Sequence, residues 1–370
     1  METKRLFIAL GISFVFIVMW SILFTPQPTI SDNDTKNQIE EEKIYISPSK
    51  IDNYNQLFDN DTTVFIEPMV ISITTELFEL ILSNKGGGSI KKVTLIEKNV
   101  SGANRYDGAY INGEYINESP VTLINADVCN PCIEGYDVPF KFDRLENSQI
   151  VLNNNESVII KAEFNGLIKT TTIYGNSYNI DHEYLNVINP STDIVKVLWS
   201  SGLLPSEKNI SEESTYLTAY MQEGEKLNSF GMKSGDEPFK TNQNNKWTAI
   251  KTKYFMKAIL HENNEAISTE LIYHSNEEGW DNQFVYPEMF LGYNAPNDNV
   301  LSFSSYIGPI DVNHLKKLNA NLVDVFGFGW FIIGYLAKIV VMMLTSLYTF
   351  IPNYGIVCIL FAIIIRILTG

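Results

Sequence analysis

The chemistry-bearing motif with the widest reach in this chain is a pair of cysteines three positions apart, Cys129-Asn130-Pro131-Cys132. Thioredoxin-type redox chemistry needs such a pair at the start of a helix within a strand-helix-strand setting. The surroundings, VTLINADVCNPCIEGYDVPF, read instead as a loop between strands. In a domain outside the cytoplasm the spacing fits a local structural disulfide, while an anchored thiol oxidoreductase would use the same two residues. A zinc site would require further Cys or His ligands nearby, and the sequence offers none there. The third cysteine, Cys358, falls in an apolar run and reads as a small apolar side chain.

The other motifs fail one by one. His261-Glu262 opens like a zincin HExxH, but Glu265 stands where the second imidazole belongs, and His182-Glu183 fails in the same way at Asn186. Both histidines therefore read as surface or strand residues. Lys85-Gly86-Gly87-Gly88 is followed by no GK[ST] and no helical pattern, so it reads as a hairpin turn rather than a phosphate cradle. No GxSxG elbow or GxGxxG fingerprint occurs. With 43 acidic residues, carboxylate pairs are plentiful and none stands out as an acid or base. The sequence thus implies no enzyme, no cofactor and no metal.

Arg366 is different, because its setting is apolar. It lies fourteen residues beyond Pro352 in NYGIVCILFAIIIRILTG, roughly 21 Å into a hydrocarbon core of roughly 30 Å if the segment spans. An arginine near mid-membrane costs about 2.5–3.5 kcal/mol even on the mild insertion scale, and such residues face a hydrated cavity or a partner. Snorkelling to the cytoplasmic surface is the other outcome open to it.

The elements that would position these residues divide into membrane ends and an acidic middle. After a short cytoplasmic N-terminus (1–5) containing Lys4 and Arg5, residues 6–24 carry no charge and are long enough to span. The flank Thr25-Pro26-Gln27-Pro28 lacks a small-x-small cleavage site, so the segment reads as an uncleaved signal anchor, and its basic flank places the N-terminus inside. Residues 25–63 are polar, with Glu40-Glu41-Glu42, and read as a flexible tether. Residues 64–320 alternate at period two and carry the hairpin signals Asn112-Gly113 and Asn165-Gly166, predicting one large antiparallel β-sandwich. Strands are expected through Tyr178 to Ile188, Asp193 to Ser200, Trp247 to Leu260 and Ala266 to His274, and a short helix over Asp311 to Ala320. Residues 326–350, with Trp330, Phe331 and Lys338, read as an amphipathic interfacial helix, a full span being the other reading, and 353–370 as a second span whose start is marked by Pro352, a residue tolerated in a helix's first turn. The net charge of −16 excludes a non-specific nucleic-acid binder.

Taken in this order, the segments resemble the YidC membrane protein insertases of Gram-negative bacteria. The most specific stretches are Gly329-Trp330-Phe331 and Asn353-Tyr354-Gly355 followed by the apolar run to Arg366, with weaker echoes in ISITTELFELILSNKGG and around Lys246-Trp247, Tyr254-Phe255 and Gly308-Pro309. The resemblance implies a multi-pass inner-membrane protein whose five spans form a groove open to cytoplasm and lipid, with Arg366 in it. It also implies a galactose-mutarotase-like periplasmic supersandwich. The implied partners are nascent membrane proteins, the Sec translocon with its accessory proteins, lipid and, through parts absent here, the ribosome. The chain ends at Gly370, before three of those spans, so a fragment and a truncated product are both open. A membrane-anchored carbohydrate-binding or mutarotase-like sandwich is the alternative, and predicts a concave aromatic face with convergent carboxylates.

Overall fold

Period-two patterning becomes strand after strand between Val70 and Pro309. The computed structural model describes residues 66–369 except 144–147, 188–192, 234–236, 262–264, 277–278, 319–321 and 327–330. The chain divides at Asp59 into two units, and the described residues all belong to the second. The expected anchor (6–24) and tether (25–63), like Trp330, lie outside the described residues.

Local turn chemistry sets the hairpins. Asn112 and Gly113 (φ 51° and 84°) join strands Asp107–Ile111 and Glu114–Pro120, and Asn165 and Gly166 (φ 48° and 84°) join Ser157–Phe164 and Leu167–Tyr174. Positive φ at both central residues matches the right-handed twist of paired strands, which is why Asn-Gly serves there. Gly86, Gly87 and Gly88, at φ 58°, 72° and 65°, form a left-handed turn that closes the antiparallel pair Phe78–Ser83 and Ser89–Leu95.

The strands assemble into three principal sheets. The largest has nine strands in the order Lys226–Gly231, Thr218–Glu223, Trp247–Lys251, Phe255–Leu260, Val300–Pro309, Asn179–Leu185, Leu167–Tyr174, Ser157–Phe164 and Lys141–Phe142. Phe255–Leu260, near its centre, is buried at every position, and apolar side chains from all three sheets join one core. The two smaller sheets have five strands each, one containing Val70–Thr74, Phe78–Ser83 and Ser89–Leu95, the other Ile194–Trp199 and Val285–Asn294. Among the described residues the pairing is antiparallel with one exception, since Val70–Thr74 runs parallel to Ser148–Val151. The long intervening chain supplies the crossover that a parallel pair needs.

The helix expected over Asp311 to Ala320 contracts to Val312–Leu315, because Asp311 caps it and one turn delivers Leu315 to the core. Of the two histidines read as surface or strand residues, His182 lies in strand Asn179–Leu185 and is buried, and His261 directly follows strand Phe255–Leu260. His182 Nε2 hydrogen-bonds Ser305 Oγ at 2.8 Å and His261 Nδ1 hydrogen-bonds Tyr293 Oη at 2.9 Å, so each ring is held inside the domain through one nitrogen at least. Burial pushes the His182 imidazole well below its ordinary range and that of His261 down to about 3.

Candidate functional site at the exit from the β domain

The chain leaves the sandwich through a charged joint. Asp311 Oδ1 accepts the Asn313 N–H at 2.7 Å, capping the exit turn, while Oδ2 accepts from the Arg105 guanidinium. The other arm of Arg105 donates to Glu97 Oε1 at 2.6 Å. Glu97 Oε2 accepts from the Tyr178 hydroxyl at 2.9 Å and lies 3.4 Å from His314 Nε2, whose ring meets Tyr178 edge-on at 4.9 Å. Desolvation acts to raise the Glu97 pKa, but the hydrogen bonds from His314 and Arg105 and the nearby positive charge outweigh it, holding the carboxyl down to about 2. The side chains of Glu97 and Asp311 are only 15% and 14% exposed, so this bridge is less screened than a surface pair.

Beyond the joint come two apolar helices, Phe331–Phe350 and Tyr354–Thr369. Phe331 opens the first and Lys338 lies within it. Thr345 and Thr349 donate their hydroxyls to Val341 O (2.7 Å) and Thr345 O (2.9 Å), leaving neither in need of water. At the corner, Asn353 caps the second helix by accepting the Ile356 N–H at 3.3 Å, and the Tyr348 and Tyr354 rings stack at 4.1 Å. Pro352 marks the start of this helix from just before its cap, outside the first turn, and the Asn353 side chain provides the cap.

Half of the large hydrophobic side chains exposed among the described residues fall between 339 and 367, including Met342, Phe350, Ile359, Ile363 and Ile367. Arg366 is exposed beside them, and among the described residues no carboxylate lies within ion-pair distance of it. Among the described residues no helix is long and apolar enough to cross a membrane. Tyr354–Thr369, with 16 residues, rises about 24 Å.

The cysteine pair belongs to the β domain. Cys129 and Cys132 are joined by a disulfide, and both are buried, at 2% and 0% exposure. Their loop is pressed against the glycine turn: a Cβ on Gly86 would sit 2.4 Å from the Val128 backbone, and one on Gly87 2.7 Å from Cys132 Cβ. Lys169, fully buried, reaches this junction and donates to Pro131 O at 2.7 Å, with Ser89 Oγ at 3.3 Å and Gly87 O at 3.4 Å. Burial pushes its amine down to about 7. Lys257, also buried and likewise near 7, donates to the carbonyls of Ser201 and Pro287 (3.1 Å for the latter). Strand register carries Lys169 through Tyr184 and Leu301 to Ile307 and Lys257, so both lysines point from the same face of the large sheet. The arrangement holds backbone in place and presents no open nucleophile. No sequence signal marked either lysine, nor the Glu97-Arg105-Asp311 bridge. Among the described residues no cluster of His, Cys, Asp and Glu could hold a metal.

The observed class is therefore a large β-sandwich domain that exits through a charged joint into a pair of apolar helices. Residues 70–343 match the YidC periplasmic domain family, and the chain belongs to that family. The membrane protein insertase YidC of Chlorobium limicola is 27% identical over 319 residues, covering 81% of this chain and 52% of its own length. That of Prosthecochloris aestuarii is 25% identical over 332 residues, covering 82% and 53%. The one from Endomicrobium trichonymphae is 24% identical over 382 residues, covering 99% and 65%. The chain thus spans about half the length of the first two relatives. Among solved structures, the heparan sulfate lyase HepC from Pedobacter heparinus matches with a TM-score of 0.29 at 9% identity, over 65% of this chain and 36% of that one, a score too low to define a shared fold.

Proposed function

We propose that this chain supplies the periplasmic domain and the first membrane helices of an insertase that assists the insertion, folding and assembly of inner-membrane proteins, alone or with the Sec translocon. In this reading residues 6–24 anchor the chain with its N-terminus in the cytoplasm, the sandwich lies in the periplasm, Phe331–Phe350 rests in the interface with Trp330 and Lys338 at the headgroup level, and Tyr354–Thr369 enters the bilayer. The observation that carries it is the helical pair, where exposed apolar side chains flank one exposed arginine at the C-terminal end of a domain of this family. A lone guanidinium in that setting is costly in lipid and useful in a hydrated groove, where it lowers the barrier for polar segments of an incoming chain. The work is physical and requires no covalent step. Clients, lipid and translocon are its partners, with any ribosome contact made by parts outside this chain.

The test uses the complete reading frame containing this chain, expressed in insertase-depleted bacteria, with insertion of a single-span client followed by protease protection. Restored insertion that falls at least tenfold in Arg366→Ala and partly recovers in Arg366→Lys supports the proposal. A membrane-integrated protein that restores nothing, or an alanine variant as active as the parent, overturns it.

A further inference from the structure

Away from the exit joint, three segments distant in sequence converge on a cleft of about 350 Å³, at the small end of the range for ligand sites. The Asp107–Ile111 strand contributes Tyr110, whose ring stacks on Trp280 at 4.2 Å and 25°. Trp280 is nevertheless 45% exposed, an uncommon state for so large an apolar surface that already has one partner. Lys208 and Asn209 line the second side and Asn282 and Gln283 the third.

Each segment is fixed from behind. Tyr110 donates its hydroxyl to Lys208 O at 3.0 Å and Tyr115 donates to Ser206 O at 3.3 Å. Glu213, fully buried, accepts from the Ser206 N–H (2.8 Å), the Ser206 hydroxyl (2.8 Å) and the Glu207 N–H (2.9 Å). Asp281, 6% exposed, accepts from Asn276 Nδ2 at 3.1 Å and from the Tyr286 hydroxyl, which pins the loop that raises Trp280. Gly113 lies under the indole, where a Cβ would come within 3.3 Å of it. An aromatic platform held this firmly is prepared before any ligand arrives, and little ordering entropy is left to oppose binding.

The lining selects the ligand's chemistry. In a chain of net charge −16, none of the described residues lining the cleft is a carboxylate, and their polar groups are amides, the hydroxyls of Tyr110 and Ser211, the Trp280 indole N–H and one ammonium. Amides both donate and accept, so they suit a ligand bearing many hydroxyl or acetamido groups, and the flat ring suits its C–H face. A mutarotase-like site would instead bring convergent carboxylates to the cleft, and none of its described lining residues is one. We propose that this cleft is an oligosaccharide-binding site, neutral or acidic glycans being its ligand class, with one pyranose ring stacked on Trp280 and Lys208 and the amides meeting its substituents. This proposal is independent of the insertase reading.

The test titrates the detergent-solubilised chain with two probes, a β-1,4-linked N-acetylglucosamine hexamer and an α-1,4-linked glucose hexamer, by calorimetry, with a proline decamer as the competing peptide probe. Saturable binding of at least one hexamer, weakened at least tenfold in Trp280→Ala and within threefold of the parent in Trp280→Phe, supports the site. Because Trp280 is half exposed, folding of both variants is checked through the buried Trp199 and Trp247 fluorescence. No hexamer binding at millimolar concentration, binding indifferent to Trp280→Ala in a folded variant, or binding of the decamer alone overturns it.

Discussion

Replacing Lys169 by methionine should stabilise the domain at neutral pH and abolish part of its pH dependence. Lys169 is fully buried and its amine is pushed down to about 7 from an ordinary 10.5. In the unfolded chain it stays protonated to about pH 10.5, so between these values the unfolded state binds more protons and stability rises with pH. The cost of the buried lysine is present in full below pH 7 and disappears as pH rises through 10.5. One group changes stability by up to about 1.4 kcal/mol per pH unit, so the full span of about 3.5 units sets an upper bound of about 5 kcal/mol. Methionine has a similar volume and removes the amine without orphaning its best acceptor, because Pro131 O still receives the Ser89 hydroxyl at 2.9 Å and the Tyr184 hydroxyl at 3.3 Å. Urea titrations of both proteins, followed by the fluorescence of the buried Trp199 and Trp247, should show the Lys169→Met advantage shrinking by about 2–3 kcal/mol between pH 7.5 and 9.5. A difference that stays constant over that interval, or a variant less stable than the parent at pH 7.5, refutes the reasoning.

Three further outcomes follow from the same geometry. Gly87→Ala, where φ is +72° and the new Cβ would lie 2.7 Å from both Cys132 Cβ and Tyr136 O, should cost at least about 3 kcal/mol, whereas Gly102→Ala, at φ +83° with open space around it, should cost only about 1–2 kcal/mol, both read as denaturant midpoints. Glu97→Gln should cost up to about 3 kcal/mol at pH 7 and little at or below pH 2, because a carboxyl depressed to about 2 contributes its full stability above pH 4.5 and loses it as the pH falls from 4.5 through 2. Acid-limb thermal melts of parent and variant would show convergence if this is correct and parallel curves if it is not. The Cys129→Ala, Cys132→Ala double variant removes a cross-link over a sequence separation of only three, so it should lose about 2 kcal/mol, checked as the change in melting temperature with and without reductant.

What could be read from the sequence was what is decided locally. Asn112-Gly113 and Asn165-Gly166 announce their hairpins because the left-handed backbone they adopt is a property of those residues alone. The runs SVIIKAEF and LIKTTTIY announce their strands because alternation is a property of a single pleated segment. Sheet order was hidden, since the parallel pairing of Val70–Thr74 with Ser148–Val151 depends on everything folded between them. So was the fate of the glycine turn. Its residues predict a turn, but only the arrival of Cys129–Cys132 from some forty positions away explains why Cβ atoms on Gly86 and Gly87 would strike that loop, and only Ala162, Phe140 and Phe142 explain why Gly88 is closed in. Lys169, Lys257 and Trp280 carried no signal because each takes its role from partners brought by distant strands and loops.

The two buried lysines also account for how three sheets keep a fixed arrangement around a core that is mostly featureless hydrocarbon. Apolar packing alone tolerates sliding and repacking, because many arrangements of similar volume have similar energy. An ammonium that must find carbonyl oxygens tolerates far fewer, since leaving it unpaired in the interior costs several kcal/mol. Lys169 meets Ser89 of one small sheet and Pro131 at the entry to the other, so it marks the seam between them. Lys257 meets Ser201 and Pro287, and therefore fixes the second small sheet at its own strand Val285–Asn294. Both project from one face of the nine-stranded sheet, which makes that face the template against which the smaller sheets are set. The exit joint continues this logic at the edge of the domain. There Arg105 ties Glu97, just beyond the Ser89–Leu95 strand, to Asp311 at the start of the turn toward the apolar helices, so the direction in which the chain leaves is set by the same kind of paired charge that sets the sheets.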